Sequence, residues 1–461
     1  MLGNCRHRRG AFLTRAAEAI LKNLGFVRQA IPLCMRTILL DRFFRVGTLL
    51  FIATALSNFL NFLFQVTMGR MLTPEDYGTM NALLSTFMIA AIPFTTISMV
   101  LTRRVSFHKA RDQLANVRQL FYWTYKRVGI VGLPALTAFI LCSPVFSRFL
   151  QIDATTPVIL LGLVMFLAVS FPVNLAFLGG LQRFIPMAIT SGSLGLLKYI
   201  LCVLLVLSGL GINGVFIGHS FCYLSLFFIS YWPLRRVLRG VIEAETEPRR
   251  LFSAAYPELF ANLAFAFMTQ FDLVLVKHMF SPELAGTYAV AAVFGRAVMY
   301  LPAGLILALF PMVAENYALK KNETPVLWKA LAYTLVFSGG GTLLYWLFPG
   351  VILGVLFPGK YLEAAPLLTL YGIAMLPMAL VLITMNFHIA QGHGRVWLVM
   401  ALGAAVEVIA VCLWHDDLGH ILLALCAGGI TALFLSLWPA VREYRLYLQG
   451  RRQGAGPMSA A

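Results

Sequence analysis

Apolar runs long enough to cross a bilayer follow one another along this chain with few interruptions. Read between charged or Pro/Gly breaks, they place spans near 46–69, 79–102, 125–147, 156–180, 185–208 and 213–233. A second set lies near 257–279, 285–311, 329–349, 367–391, 396–414 and 419–440. A hydrocarbon core takes roughly 20 consecutive apolar residues per helix, and only helices satisfy their own backbone there within one segment. The predicted fold is all-α, a polytopic membrane protein of about twelve transmembrane helices.

The pattern repeats. Met71-Leu72-Thr73-Pro74-Glu75-Asp76-Tyr77-Gly78-Thr79 matches Met279-Phe280-Ser281-Pro282-Glu283-Leu284-Ala285-Gly286-Thr287 at Met, Pro, Glu, Gly and Thr, with an offset of 208. Gly180 and Arg183 return as Gly392 and Arg395 at an offset of 212. Two echoes in the same order argue for duplication, and six spans per copy make two parallel six-helix lobes related by an axis along the membrane normal. The expected division is a basic N-terminal segment over 1–45, lobes over 46–233 and 257–440, a linker over 234–256 and a tail over 441–461. In each repeated connector, Thr or Ser before Pro and an acidic residue predicts a helix start, with the carboxylate on the N-terminal dipole.

Composition agrees with this reading: 60% of residues are hydrophobic and 12% charged, against about 25% charged in soluble chains. The net charge of +17 reflects topology rather than nucleic-acid binding, because 29 Lys and Arg fall in alternate segments and only four in the others. The positive-inside rule then puts both termini in the cytoplasm, and it needs an even span count. The N-terminal 45 residues fit an amphipathic helix on the anionic leaflet, with anionic membrane lipids as partners; the alternative is translation from Met35. The seven cysteines show no metal-ligand spacing, and neither a metal nor a cofactor is expected. Phosphate-loop and nucleophile-elbow signatures are missing, so the chain reads as no enzyme, with any transport driven by a gradient.

Charges well inside the spans are few: Lys198, Glu258, Asp272, Arg296 and Glu407. Each costs on the order of 2.5–3.5 kcal/mol at a helix centre, so each needs a partner or a wet cavity. Thr54, Asn58, Asn61 and Gln65 share one face of the first span; Glu258, Asn262, Thr269 and Asp272 share one face of the seventh. Paired polar stripes suit a cleft between lobes, or else interhelical hydrogen bonding alone. Arg296 and Lys198 suit an anion such as phosphate, or Arg296 pairs with Asp272 or Glu407 as structure only.

The polar first helix and the Gly69–Gly78 connector, with its echo at Ser281–Gly286, resemble the polysaccharide transporter family of lipid-linked oligosaccharide flippases. That family belongs to the multidrug/oligosaccharidyl-lipid/polysaccharide exporter superfamily. The resemblance implies alternating-access movement of an undecaprenyl-diphosphate-linked glycan, such as an O-antigen or exopolysaccharide precursor, across the bacterial inner membrane. It also implies polymerase or glycosyltransferase partners, and a cavity between the first, second, seventh and eighth helices. On this chain the substrate-binding candidates are then Asn58, Asn61, Gln65, Asn81, Asp272, Arg296 and Lys198, with Asp272 and Glu407 as candidates for ion coupling. The stretch from Arg103 to Arg127 is expected to be a long basic loop that gathers an anionic head group. A lipid II flippase has two helices more than are found here, and a multidrug antiporter carries acidic residues in its first helix, where Val46–Gly69 has none. A membrane scaffold without transport is the reading from another class.

Overall fold

The computed structural model describes residues 42–240, 256–319 and 323–452. The N-terminal segment to residue 41, residues 241–255 of the linker, residues 320–322 and the last nine residues lie outside these, and so does the expected amphipathic N-terminal helix. Among the described residues, eleven helical stretches are long and apolar enough to span a membrane, and one of them, Phe184–Leu238, turns back on itself and counts as two, which gives twelve. Its reversal needs no loop: Gly209 (φ +88°) and Gly211 (φ +51°) adopt backbone conformations that side chains disfavour, so the apolar run continues unbroken through the turn.

In chain order the first half comprises α1 (Arg42–Met71), α2 (Pro74–Ala110), α3 (Leu114–Phe149), α4 (Thr156–Gly180), α5 (Phe184–Leu205) and α6 (Gly211–Leu238). The second comprises α7 (Tyr256–Met279), α8 (Pro282–Ile306), α9 (Thr324–Leu347), α10 (Ala365–Ala390), α11 (Val396–Leu413) and α12 (Leu418–Arg452). Pro302 lacks the backbone donor of a helical turn, and the span α8 is interrupted at Leu301–Pro302; its last piece, which begins at Ala303, runs on to Ala318. The two halves pack alike. In the first, α1 lies on α5, α2 on α4 and α5 on α6; in the second, α7 lies on α11, α8 on α10 and α11 on α12.

The expected basic loop is a correction. Residues 103–127 are almost entirely helical, because α2 and α3 run on past the apolar core and meet in a tight turn where Asp112 takes φ +59°. Hydropathy marks where lipid ends, and a helix with charged residues in its last turns continues into water without penalty. For the same reason α12 extends to Arg452, well past the expected end of its span at 440.

Between the halves, α2 packs against both α7 and α8. Here the two copies of the repeated connector meet, Gly78 against Gly286, with their backbones in contact. Both connectors start helices as their sequence predicts: Thr73 Oγ1 accepts from Asp76 N at 3.2 Å and Ser281 Oγ from Leu284 N at 3.4 Å. We call this the connector end and the opposite one the basic end. Large apolar side chains such as Phe51, Leu141, Phe228, Trp346 and Trp438 are exposed on the outer surface, as lipid-facing positions are.

Candidate functional site

An ionised side chain within a span is tolerated when its polar atoms are satisfied locally. Arg296 on α8, 7% exposed, meets that condition with groups from three other helices. Its Nη2 donates to Asp272 Oδ1 at 2.7 Å, and Nη1 to Gln270 Oε1 at 2.8 Å and Ser85 Oγ at 3.3 Å. Its Nε donates to the Tyr371 hydroxyl at 2.9 Å. Asp272 is completely buried, and its Oδ2 accepts from Tyr371 at 2.6 Å and Tyr288 at 2.9 Å. Ser85 comes from α2 in the first half; every other member comes from α7, α8 and α10 of the second. The pair is therefore doubly supported, and Ser85 ties it across the boundary between halves.

A smaller cluster belongs to the first half. Tyr77 donates to Gln65 Oε1 at 3.2 Å, Gln65 Nε2 to Asn81 Oδ1 at 3.2 Å, and Asn81 Nδ2 to the Tyr77 carbonyl at 3.0 Å. Asn61 accepts from Lys198 Nζ in the seam between α1 and α5, where the ammonium also sits 4.5 Å from the Phe64 ring centre. Lys198 is thus engaged within its own half and is no member of the Arg296 network. Farther along the same face of α1, Thr54 and Asn58 are exposed, so the stripe is closed by partners toward the connector end and open toward the basic end.

Other hydrogen bonds between halves gather at the connector end. Arg70 Nε donates to the Leu356 carbonyl at 2.7 Å, Lys360 Nζ to the Arg70 carbonyl at 3.0 Å, and Gln151 Nε2 to the His278 carbonyl at 2.7 Å. Tyr361, between the short helix Pro349–Leu356 and α10, packs its ring at 6.0 Å from Tyr77, and burial pushes its phenol up to about 12. It stays protonated and bridges the halves by packing. Glu407 on α11 is 2% exposed, and its Oε2 has no hydrogen-bond partner among the described residues. Glu258, near the basic end of α7, is half-buried and accepts no share of the network; its backbone carbonyl takes the Asn262 amide at 2.8 Å.

The profile of polysaccharide biosynthesis proteins matches residues 44–317, more than half of the chain and inclusive of α1, α2, α7 and α8. The chain belongs to this family. Among solved structures, the lipid II flippase MurJ in an inward closed conformation is similar at TM-score 0.67 and 13% identity, over 85% of this chain and 87% of that one. An inward-facing multidrug resistance MATE family transporter of the MOP superfamily is similar at TM-score 0.69 and 12% identity, over 86% and 96%. An outward-facing one reaches TM-score 0.58 at 14% identity, over 87% and 96%. No curated protein sequence matches. This polysaccharide biosynthesis protein is a multi-pass membrane protein with the fold of those transporters.

Of the residues singled out in its sequence, Asp272 and Arg296 form one buried centre; Gln65 and Asn81 form a second; Asn61 and Lys198 pair apart from both. Ser85, Gln270, Tyr288 and Tyr371 complete the first centre without standing out in the sequence. Their only signal was the presence of uncharged polar atoms in apolar runs, which many spans carry for ordinary helix pairing.

Proposed function

We propose that this protein is a flippase that moves an undecaprenyl-diphosphate-linked oligosaccharide or polysaccharide precursor from the cytoplasmic to the outer leaflet of a bacterial inner membrane. The lobes 46–233 and 257–440 rock about a central cleft, with the basic end and both termini in the cytoplasm. The observation that carries the reading is a buried arginine held between the halves, bonded to Asp272 in one and Ser85 in the other.

The chemistry of that centre suits a diphosphate. A guanidinium presents planar, paired donors that match two phosphate oxygens, and a buried charge-assisted hydrogen bond contributes roughly 1.5–3 kcal/mol. Arg296 can exchange Asp272 for phosphate because the carboxylate keeps the Tyr288 and Tyr371 hydroxyls when the guanidinium turns away. Loss of the Ser85 contact at the same moment couples ligand arrival to separation of α2 from α8. Asn58, Asn61, Gln65 and Asn81 line the other wall for the first sugars, and Lys198 offers a second cation once it leaves Asn61. Asp272 and Glu407 are the groups we assign to ion coupling, Glu407 on the strength of its unpartnered oxygen.

A fluorescent lipid-linked sugar flipped by the purified protein in vesicles tests this reading. A chain that serves only as a scaffold for polymerase or glycosyltransferase partners would leave the probe in its starting leaflet.

A further inference from the structure

A cavity lies at the basic end of the second half. Its volume is about 400 Å³, and it opens where the end of α10, the start of α11 and the last apolar turns of α12 converge. Three cationic or titratable side chains line it, His388, His393 and Arg395, and no carboxylate does. His388 is 7% exposed, with Nε2 2.8 Å from the Ser436 carbonyl and Nδ1 3.4 Å from His393 Nδ1. Gly392 takes φ +76° to end α10, which lets the chain turn round the rim. Helix α11 starts inside the pocket at Arg395 with no side-chain cap, so its positive dipole end faces the cavity. The remaining wall is apolar, with Val399, Leu435 and Pro439 running toward the membrane interior.

The duplication supplies an internal control. Arg183 is the counterpart of Arg395, and each is the N-cap residue of its helix. In the first half the guanidinium donates to the Pro233 carbonyl on α6, which ties the start of α5 to the end of that helix. In the second half Arg395 is exposed at the rim and makes no side-chain hydrogen bond or ion pair within the described residues, and the space beside Pro439 stays open. The same turn has thus been closed in one copy and kept open, with two histidines added, in the other.

We propose that this pocket binds the phosphate of an anionic membrane lipid, with Arg395, His393 and the first turn of α11 on the head group and the hydrocarbon chain along Val399, Leu435 and Pro439. Cationic donors at a helix N-terminus recognise phosphate, and an apolar wall beneath them selects an ester that carries a chain over the free ion. The site is separate from the proposed transport cleft and stands whether or not that reading does.

The test uses the full-length protein in nanodiscs of phosphatidylcholine, with and without phosphatidylglycerol, read by thermal unfolding and by lipid retained in native mass spectrometry. Phosphatidylglycerol is expected to raise the unfolding temperature and to be retained. Arg395→Gln and His393→Gln should each weaken retention about tenfold, the loss of one charge-assisted hydrogen bond. Arg236→Gln, at an exposed basic-end position in the first half, should leave retention unchanged. Equal unfolding temperatures in phosphatidylcholine alone verify that the variants fold, and the wild-type comparison of lipids stands without any variant. Stabilisation of the wild type by inorganic phosphate to the same extent would keep the phosphate chemistry and overturn the lipid as its source. No preference for phosphatidylglycerol, or an equal loss in Arg236→Gln, would overturn the site.

Discussion

Gly78 and Gly286 meet backbone to backbone, so that a Cβ at Gly78 would lie 2.8 Å from the Gly286 nitrogen. A Cβ at Gly286 would lie 2.1 Å from the Pro74 carbonyl oxygen. The two residues are equivalent positions of the repeated connector, and only glycine at both lets α2 and α8 close one end of the bundle. Gly286→Ala must push the connectors apart, at a cost of about 1–3 kcal/mol. It is expected to lower the unfolding temperature and to speed maleimide labelling of a cysteine placed at Thr79. Unchanged stability with unchanged labelling would show that the contact closes nothing.

The connectors also start their helices. Thr73→Ala removes the hydroxyl that accepts from Asp76 N and should cost about 1 kcal/mol. Pro74→Ala and Pro282→Ala should cost less, through greater freedom of the unfolded chain. Thermal unfolding checks the order; a change of glycan selectivity at full stability would contradict a structural role.

Most of the architecture was legible because a bilayer leaves few choices. Runs of apolar residues near membrane length can only be helices, and a repeated Pro-Glu connector exposes the duplication. The ends of helices were not legible where α2 and α3 continue as charged helix around Asp112, since hydropathy reports the solvent and not the backbone. The Arg296 network was half legible. A charge inside a span stands out, whereas Ser85 and Tyr371 are recognised only when folding brings residues far apart in the chain to one point. Lys198 stood out equally and turned out to pair with Asn61 inside one half, because an intramembrane charge announces a need for partners and not their identity.

Orientation is open to a direct check. A reporter inserted in the turn at Asp112, or fused after Arg445, should report the cytoplasm, and one near Asp416 should report the periplasm. Agreement of the Asp112 and Asp416 reporters would mean an even number of crossings between them, against the nine that α3 to α11 supply.

Glu407 is packed closely enough that Gly428 lies against its Cβ and Oε2. Glu407→Gln keeps that shape and removes the ability to take up or release a cation. Flipping in vesicles should then lose its response to an imposed proton or sodium gradient and keep its rate in the absence of one. An undiminished response would remove Glu407 from the coupling path.

The central claim is that Arg296 exchanges Asp272 for the diphosphate of the carrier lipid. Its most direct test is the flipping rate of a fluorescent undecaprenyl-diphosphate-linked sugar in vesicles with equal amounts of inserted protein. Arg296→Lys keeps the charge and loses the paired donors, and should slow flipping about tenfold; Arg296→Ala should slow it about a hundredfold or more. The combined exchange Asp272→Arg with Arg296→Asp preserves a buried pair but moves the guanidinium to α7, and should stay inactive. Recovery of flipping by that exchange would contradict the account, because the two residues would then matter only to each other.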